Sequence, residues 1–119
     1  MRIGEERAAL ILEIVRIYCE QYEGWLKRNI FERQWVLRDF KKTVGLSAES
    51  FYHDMLRLKN DLTENAGTSL AYDTEQFEKL KRYYQRQYKL LQGYEKDPAA
   101  LQKNGAAILS WIEMLDRLS

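Results

Sequence analysis

The sequence predicts an all-α fold, a compact bundle of about five helices in a single domain over residues 1–119. Three observations carry that expectation. Apolar residues recur at three- and four-residue steps in five separate stretches. No stretch alternates with the two-residue period of a half-buried strand, and the breaks between stretches hold helix caps and stops. One proline, Pro98, and six glycines leave long runs free to be helical.

From Glu5 to about Leu26, the residues Ala8, Ile11, Val15, Tyr18, Tyr22 and Trp25 form an apolar stripe. Leu10, Ile14 and Ile17 widen it past half the circumference and leave a narrow polar remainder of Glu6, Glu13, Arg16 and Glu20. Such a helix is expected to be central and contacted on more than one side. A second helix, about Ile30 to Val44, places Leu37, Phe40 and Val44 on one face and Phe31 and Trp35 on another. Gly45 follows as its stop.

Ser47 is the expected N-cap of a third helix reaching about Leu62, with Phe51, Met55, Leu58 and Leu62 in line. Thr63 to Tyr72 contains TENAGTS and reads as the longest loop. Asp73 with Gln76 resembles a capping box opening a fourth helix to about Gln92, with Gly93 as its stop. Its core stripe is Phe77, Leu80, Tyr84, Tyr88 and Leu91. Asp97–Pro98 starts a fifth helix with Leu101, Ile108, Trp111, Ile112 and Leu115 inward. Gly105, Ala106 and Ala107 are small enough there to let another backbone approach. No repeat, low-complexity segment or linker divides the chain.

Composition narrows the functional classes. Apolar residues are 45% and charged residues 31%, which suits a folded globule rather than a disordered chain. Cys19 alone forms no internal disulfide, MRIGEERAAL places acids where an export signal needs an apolar run, and Ala8 to Val15 is too short for a membrane span. A cytoplasmic protein without a membrane partner is the expectation.

Familiar catalytic chemistry lacks its parts. His53 is the only histidine, and no glycine-framed nucleophile accompanies it. One histidine and one cysteine are too few for a metal site of that kind, and the glycines are scattered singly rather than gathered in a phosphate loop. Glu6, Glu13 and Glu20 recur every seven residues, but without a Glu-x-x-His partner they read as a solvated acidic stripe. Cys19, at the edge of the apolar arc of the first helix, reads as a buried, inert small residue rather than a reactive thiol. No enzyme activity, cofactor or metal is expected.

Two surfaces remain as candidates. Net charge is +1, yet residues 24–60 hold eight Lys/Arg against four Asp/Glu, a local +4. Within them Val36 to Leu58 resembles a helix-turn-helix in its spacing. Gly45 takes the turn, Phe51, Met55 and Leu58 follow it by six, ten and thirteen residues, and Phe40 and Val44 precede it by five and one. The resemblance implies a third helix reading a major groove through Glu49, Ser50, His53 and Arg57, with Arg38, Lys41 and Lys42 on phosphates. A plain helical corner has the same spacing. Lys41 stands where the motif wants a small residue, and Glu49 and Asp54 put negative charge on or near the reading helix.

The second surface is the fourth helix, where Lys79, Arg82, Arg86 and Lys89 fall within an arc of about 80°, with Tyr83 beside them for stacking. It suits a phosphate backbone, an acidic protein groove, or solvent alone. In a five-helix bundle Phe31 and Trp35 are expected to be covered by a neighbouring helix. Left uncovered, they form an anchor of the kind enriched at protein interfaces. The functional expectation is a non-catalytic interaction module, an accessory, adaptor or inhibitor subunit with a protein partner or a second copy, with nucleic acid as a possible associate. The alternative is a helix-turn-helix DNA-binding regulator.

Overall fold

A computed structural model describes residues 5–64 and 74–118 and is all-α. In chain order the helices are α1 (Glu5–Leu26), α2 (Ile30–Val44), α3 (Ala48–Glu64), α4 (Thr74–Tyr94) and α5 (Pro98–Asp116). They fall into two compact units, residues 1–73 and 74–119. In the first, α1 packs on both α2 and α3, and α2 also meets α3; in the second, α4 packs on α5.

The first unit is organised by aromatic residues. Tyr18, Phe40 and Phe51, one from each helix, are fully buried and meet at ring-centroid distances of 4.8–5.6 Å. Trp25 and Tyr22 extend the cluster along α1. The Tyr18 hydroxyl donates to the Ala48 carbonyl at 2.7 Å, so the polar end of this buried ring is satisfied. Tyr52 of α3 lies against Tyr22 and donates to the Glu23 carboxylate at 3.0 Å, a second tie between α1 and α3.

Local chemistry sets the ends of α2 and α3. The Asn29 side chain accepts from the Glu32 amide and caps α2. Gly45 adopts φ 89° and donates its N–H to the Lys41 carbonyl, which closes α2 in a left-handed turn. Ser47 Oγ then accepts from the Ser50 amide at 3.1 Å and opens α3.

In the second unit, Asp97 caps α5 through the Ala99 amide and Pro98 occupies the first turn. Tyr84 and Trp111 meet at 5.2 Å, and Lys81 pairs with Asp116 at 2.5 Å. The small residue at Gly105 admits a ring rather than a backbone: a Cβ built there comes 2.6 Å from Tyr88 Cε2. Ala106 and Ala107 are exposed.

Two expectations about helix ends change. α3 continues through Thr63 to Glu64, where a loop was expected. The rest of that loop, and the Asp73 half of the capping box, lie outside the described residues. Gly93 does not stop α4. The Glu95 amide still reaches the Leu91 carbonyl at 2.8 Å, so helical bonding runs past it. The break comes instead where Asp97 turns extended to cap the next helix. A glycine ends a helix only where the chain enters the left-handed region, and among the described glycines only Gly45 does so.

That difference predicts opposite responses to alanine. Gly45→Ala forces a Cβ into the left-handed region and lowers stability by about 1–2 kcal/mol. Gly93→Ala meets no atom within 4 Å and raises stability by about 0.5–1 kcal/mol. Urea unfolding followed by circular dichroism reads both, and shifts of the same sign would contradict the two assignments.

Candidate functional site

α2 carries its core on one side and its chemistry on the other. Val36, Phe40 and Val44 are buried against α1 and α3. Phe31, Trp35, Arg38 and Lys42 fall within an arc of about 60° on the opposite side. Among the described residues of the first unit, no helix covers this arc. Phe31 is 81% exposed and Trp35 59%, and Arg38 and Lys42 are exposed beside them. The expectation that a neighbour would bury the two rings is therefore corrected. The buried residues of α2, Val36, Asp39, Phe40 and Val44, lie on other sides of the helix.

One flank of this stripe borders a cleft of about 610 Å³. Arg33, Leu37 and Lys41 recur at four-residue steps along α2 and form one wall, with Arg38 at its outer edge. Tyr22 and Leu26 from the end of α1 form the second wall, and Ser47, Ala48 and Glu49 at the start of α3 form the third. Arg33 also donates to the Leu26 carbonyl at 3.4 Å, which holds it at the α1 end of the cleft. Lys41, at the other end, accounts for the departure from helix-turn-helix spacing: its exposed side chain edges this cleft.

On the proposed reading face of α3, carboxylates stand beside both His53 and Arg57. His53 Nε2 stands 3.9 Å from a Glu49 oxygen, and Arg57 stands 3.9 Å from Asp54. The Ser50 hydroxyl lies 3.0 Å from that of Ser47. α3 carries two Lys/Arg against four Asp/Glu, whereas α2 carries four against two. The positive charge of residues 24–60 thus lies on Lys27 and Arg28 before α2 and on α2 itself, and not on the helix that would enter a groove.

On α4, Arg82, Arg86 and Lys89 are exposed, while Lys79 is half-buried and 3.5 Å from Glu75. Tyr83, expected at the surface for stacking, is buried and packs beside Tyr84. Its neighbours in the i−3 and i+1 positions, Leu80 and Tyr84, are buried too, so the core arc of α4 is wider than the three- and four-step stripe predicts.

The acidic stripe of α1 has a local explanation. Arg16 pairs with Glu13 and donates to Glu20 at 2.8 Å. The hydrogen-bonded guanidinium holds the Glu13 carboxyl below its usual range, and the Arg16 side chain titrates correspondingly higher. The pair is exposed and contributes little to stability. Among the described residues, no group of three His, Cys, Asp or Glu side chains is placed to hold a metal, and no helix is long and apolar enough to cross a membrane. No protein-family model matches the chain, and no curated protein or solved structure resembles it.

Cys19 is half-buried on α1. Burial pushes its thiol up, the Glu23 charge pushes further, and Lys59 opposes them. The thiolate fraction near neutral pH is therefore small. Alkylation by iodoacetamide at pH 8 is expected to run several-fold slower than for an unstructured cysteine peptide, and to accelerate as pH rises beyond the ordinary thiol range. A rate equal to or above the peptide's at pH 8 would contradict this picture of the site.

Proposed function

We propose that the chain is a non-catalytic interaction module, an accessory, adaptor or inhibitor subunit of a larger assembly, whose partner docks on the outer face of α2. One observation carries this reading: two large aromatic rings stand exposed in line with two cations, on the side of α2 opposite its core. Solvation alone gives no reason to place a Phe and a Trp there, and rings of this kind anchor interfaces when a partner desolvates them. Arg38 and Lys42 select an acidic partner by charge. They also disfavour a second copy seated on the same patch, because a symmetric pairing brings like charges together.

A second reading keeps the surface and changes the partner. Phe31 and Trp35 are placed to stack unpaired bases, with Arg38, Lys41 and Lys42 on the phosphates, in the manner of single-strand binding surfaces. The duplex-reading alternative, with α3 in a major groove, draws support from the Gly45 turn and the Ser47 cap. It is weakened by the negative balance of α3 and by the carboxylates beside His53 and Arg57.

The test is an affinity capture with the full chain as bait, run beside salt-titrated binding to duplex, single-stranded DNA and RNA. Trp35→Ala and Lys42→Glu are expected to weaken the captured complex by tenfold or more, while Arg86→Glu leaves it unchanged. These surface changes should leave the unfolding midpoint of the free chain nearly unmoved. A complex indifferent to Trp35→Ala removes the α2 face from the account. Duplex binding lost in His53→Ala and Arg57→Ala would establish the α3 reading instead.

A further inference from the structure

The cleft beside α2 is distinct from the outer stripe, with which it shares Arg38, and Lys41 in the single-strand reading above, and it does not depend on the protein partner proposed there. We propose that it binds a small ligand carrying two or more linked phosphate groups. Its charge points that way. Arg33, Arg38 and Lys41 line one cavity against a single carboxylate, Glu49. Three cations held around a common space repel one another, and a bound polyanion turns that repulsion into attraction. Arginine forks match phosphate oxygens in pairs, and lysine adds a compact point charge. The opening amides of α3 beside them, at Ala48 and Glu49, add partial positive charge at the same wall.

The spacing selects linked phosphates over a lone one. Arg33 and Lys41 are eight residues apart on α2, about 12 Å along its axis, and Arg38 lies between them. A single phosphate does not engage both ends with the side chains relaxed, whereas a short phosphate chain does. The volume of about 610 Å³ lies within the roughly 300–1,000 Å³ usual for small-molecule sites. Tyr22, Leu26 and Leu37 give the cleft apolar walls against which an organic portion of the ligand packs.

Glu49 sets a sign. Its carboxylate opposes an anion in the cleft, and the His53 ring lies 3.9 Å from it along α3. Removing the carboxylate must therefore strengthen anion binding.

The experiment is titration calorimetry of the full chain at low salt with inorganic tripolyphosphate and with ATP as probes. Both are expected to bind. Arg33→Gln and Lys41→Gln should each weaken binding about tenfold or more, and Arg33→Lys and Lys41→Arg should restore much of it. Glu49→Gln should tighten it. Lys42→Gln makes the same charge change on the outer stripe and should leave binding unchanged, as should Trp35→Ala, which separates this site from the partner surface. Tighter binding of ATP than of tripolyphosphate would support the role given to the apolar walls. Three results would overturn the proposal: no heat with either probe, equal losses in Lys42→Gln and Lys41→Gln, or tighter binding of a short oligonucleotide through the same cleft residues.

Discussion

Tyr18 stands where α1, α2 and α3 meet, fully buried, its ring against Phe40 and Phe51 and its hydroxyl on the Ala48 carbonyl. A tyrosine buried this deeply needs a partner for its hydroxyl, since an unmet polar group costs on the order of 1–3 kcal/mol. The partner here is the first residue of α3. One side chain therefore fixes the depth of α1 in the core and the height at which α3 begins. Phe40 binds α2 into the same cluster, and the direction in which α2 faces solvent follows from that contact. With Val36, Phe40 and Val44 turned inward, helical geometry leaves Phe31, Trp35, Arg38 and Lys42 turned outward.

This arrangement separates charge as well as apolar surface. α2 holds an excess of cations and α3 an excess of carboxylates, although they are neighbours in sequence joined by a turn at Gly45. Half of the local +4 of residues 24–60 lies on α2, where it flanks aromatic surface on one side and a cleft on the other, and Lys27 and Arg28 just before α2 supply the rest. The negative balance of α3 beside the positive balance of α2 favours the proposed docking on α2 over the alternative of groove recognition. The basic stripe of α4 belongs to the other unit and lost its expected stacking ring when Tyr83 proved to be core.

Much of the fold was legible because it is written locally. Gly45, Ser47, Asp97 and Pro98 act on backbone groups a few residues away, so their roles follow from spacing alone, whereas the Asn29 cap of α2 emerges only from the structure. Gly93 misled because the same residue type stops a helix or sits within one according to a φ angle that sequence does not print. The sequence led to the expectation that Phe31 and Trp35 are covered, and the structure exposes them. Their exposure depends on whether another helix reaches them, and that is a property of packing. The cleft was less legible still. The Arg33–Leu37–Lys41 row is visible as a four-residue recurrence, but nothing in it announces that Tyr22 and Glu49 will stand opposite. The Tyr52–Glu23 tie and the Tyr88 ring over Gly105 are long-range meetings of the same kind.

The central claim is that the core around Tyr18 buries Trp25 and turns Trp35 to solvent. Fluorine NMR of the chain labelled with 5-fluorotryptophan tests it directly, because each of the three tryptophans gives its own resonance. With a soluble gadolinium chelate added, the account predicts strong broadening of the Trp35 signal and little of Trp25, with Trp111 between them. Signals are assigned by single Trp→Phe replacements. A Trp35 resonance as protected as that of Trp25 would contradict the exposed α2 face and the docking role built upon it.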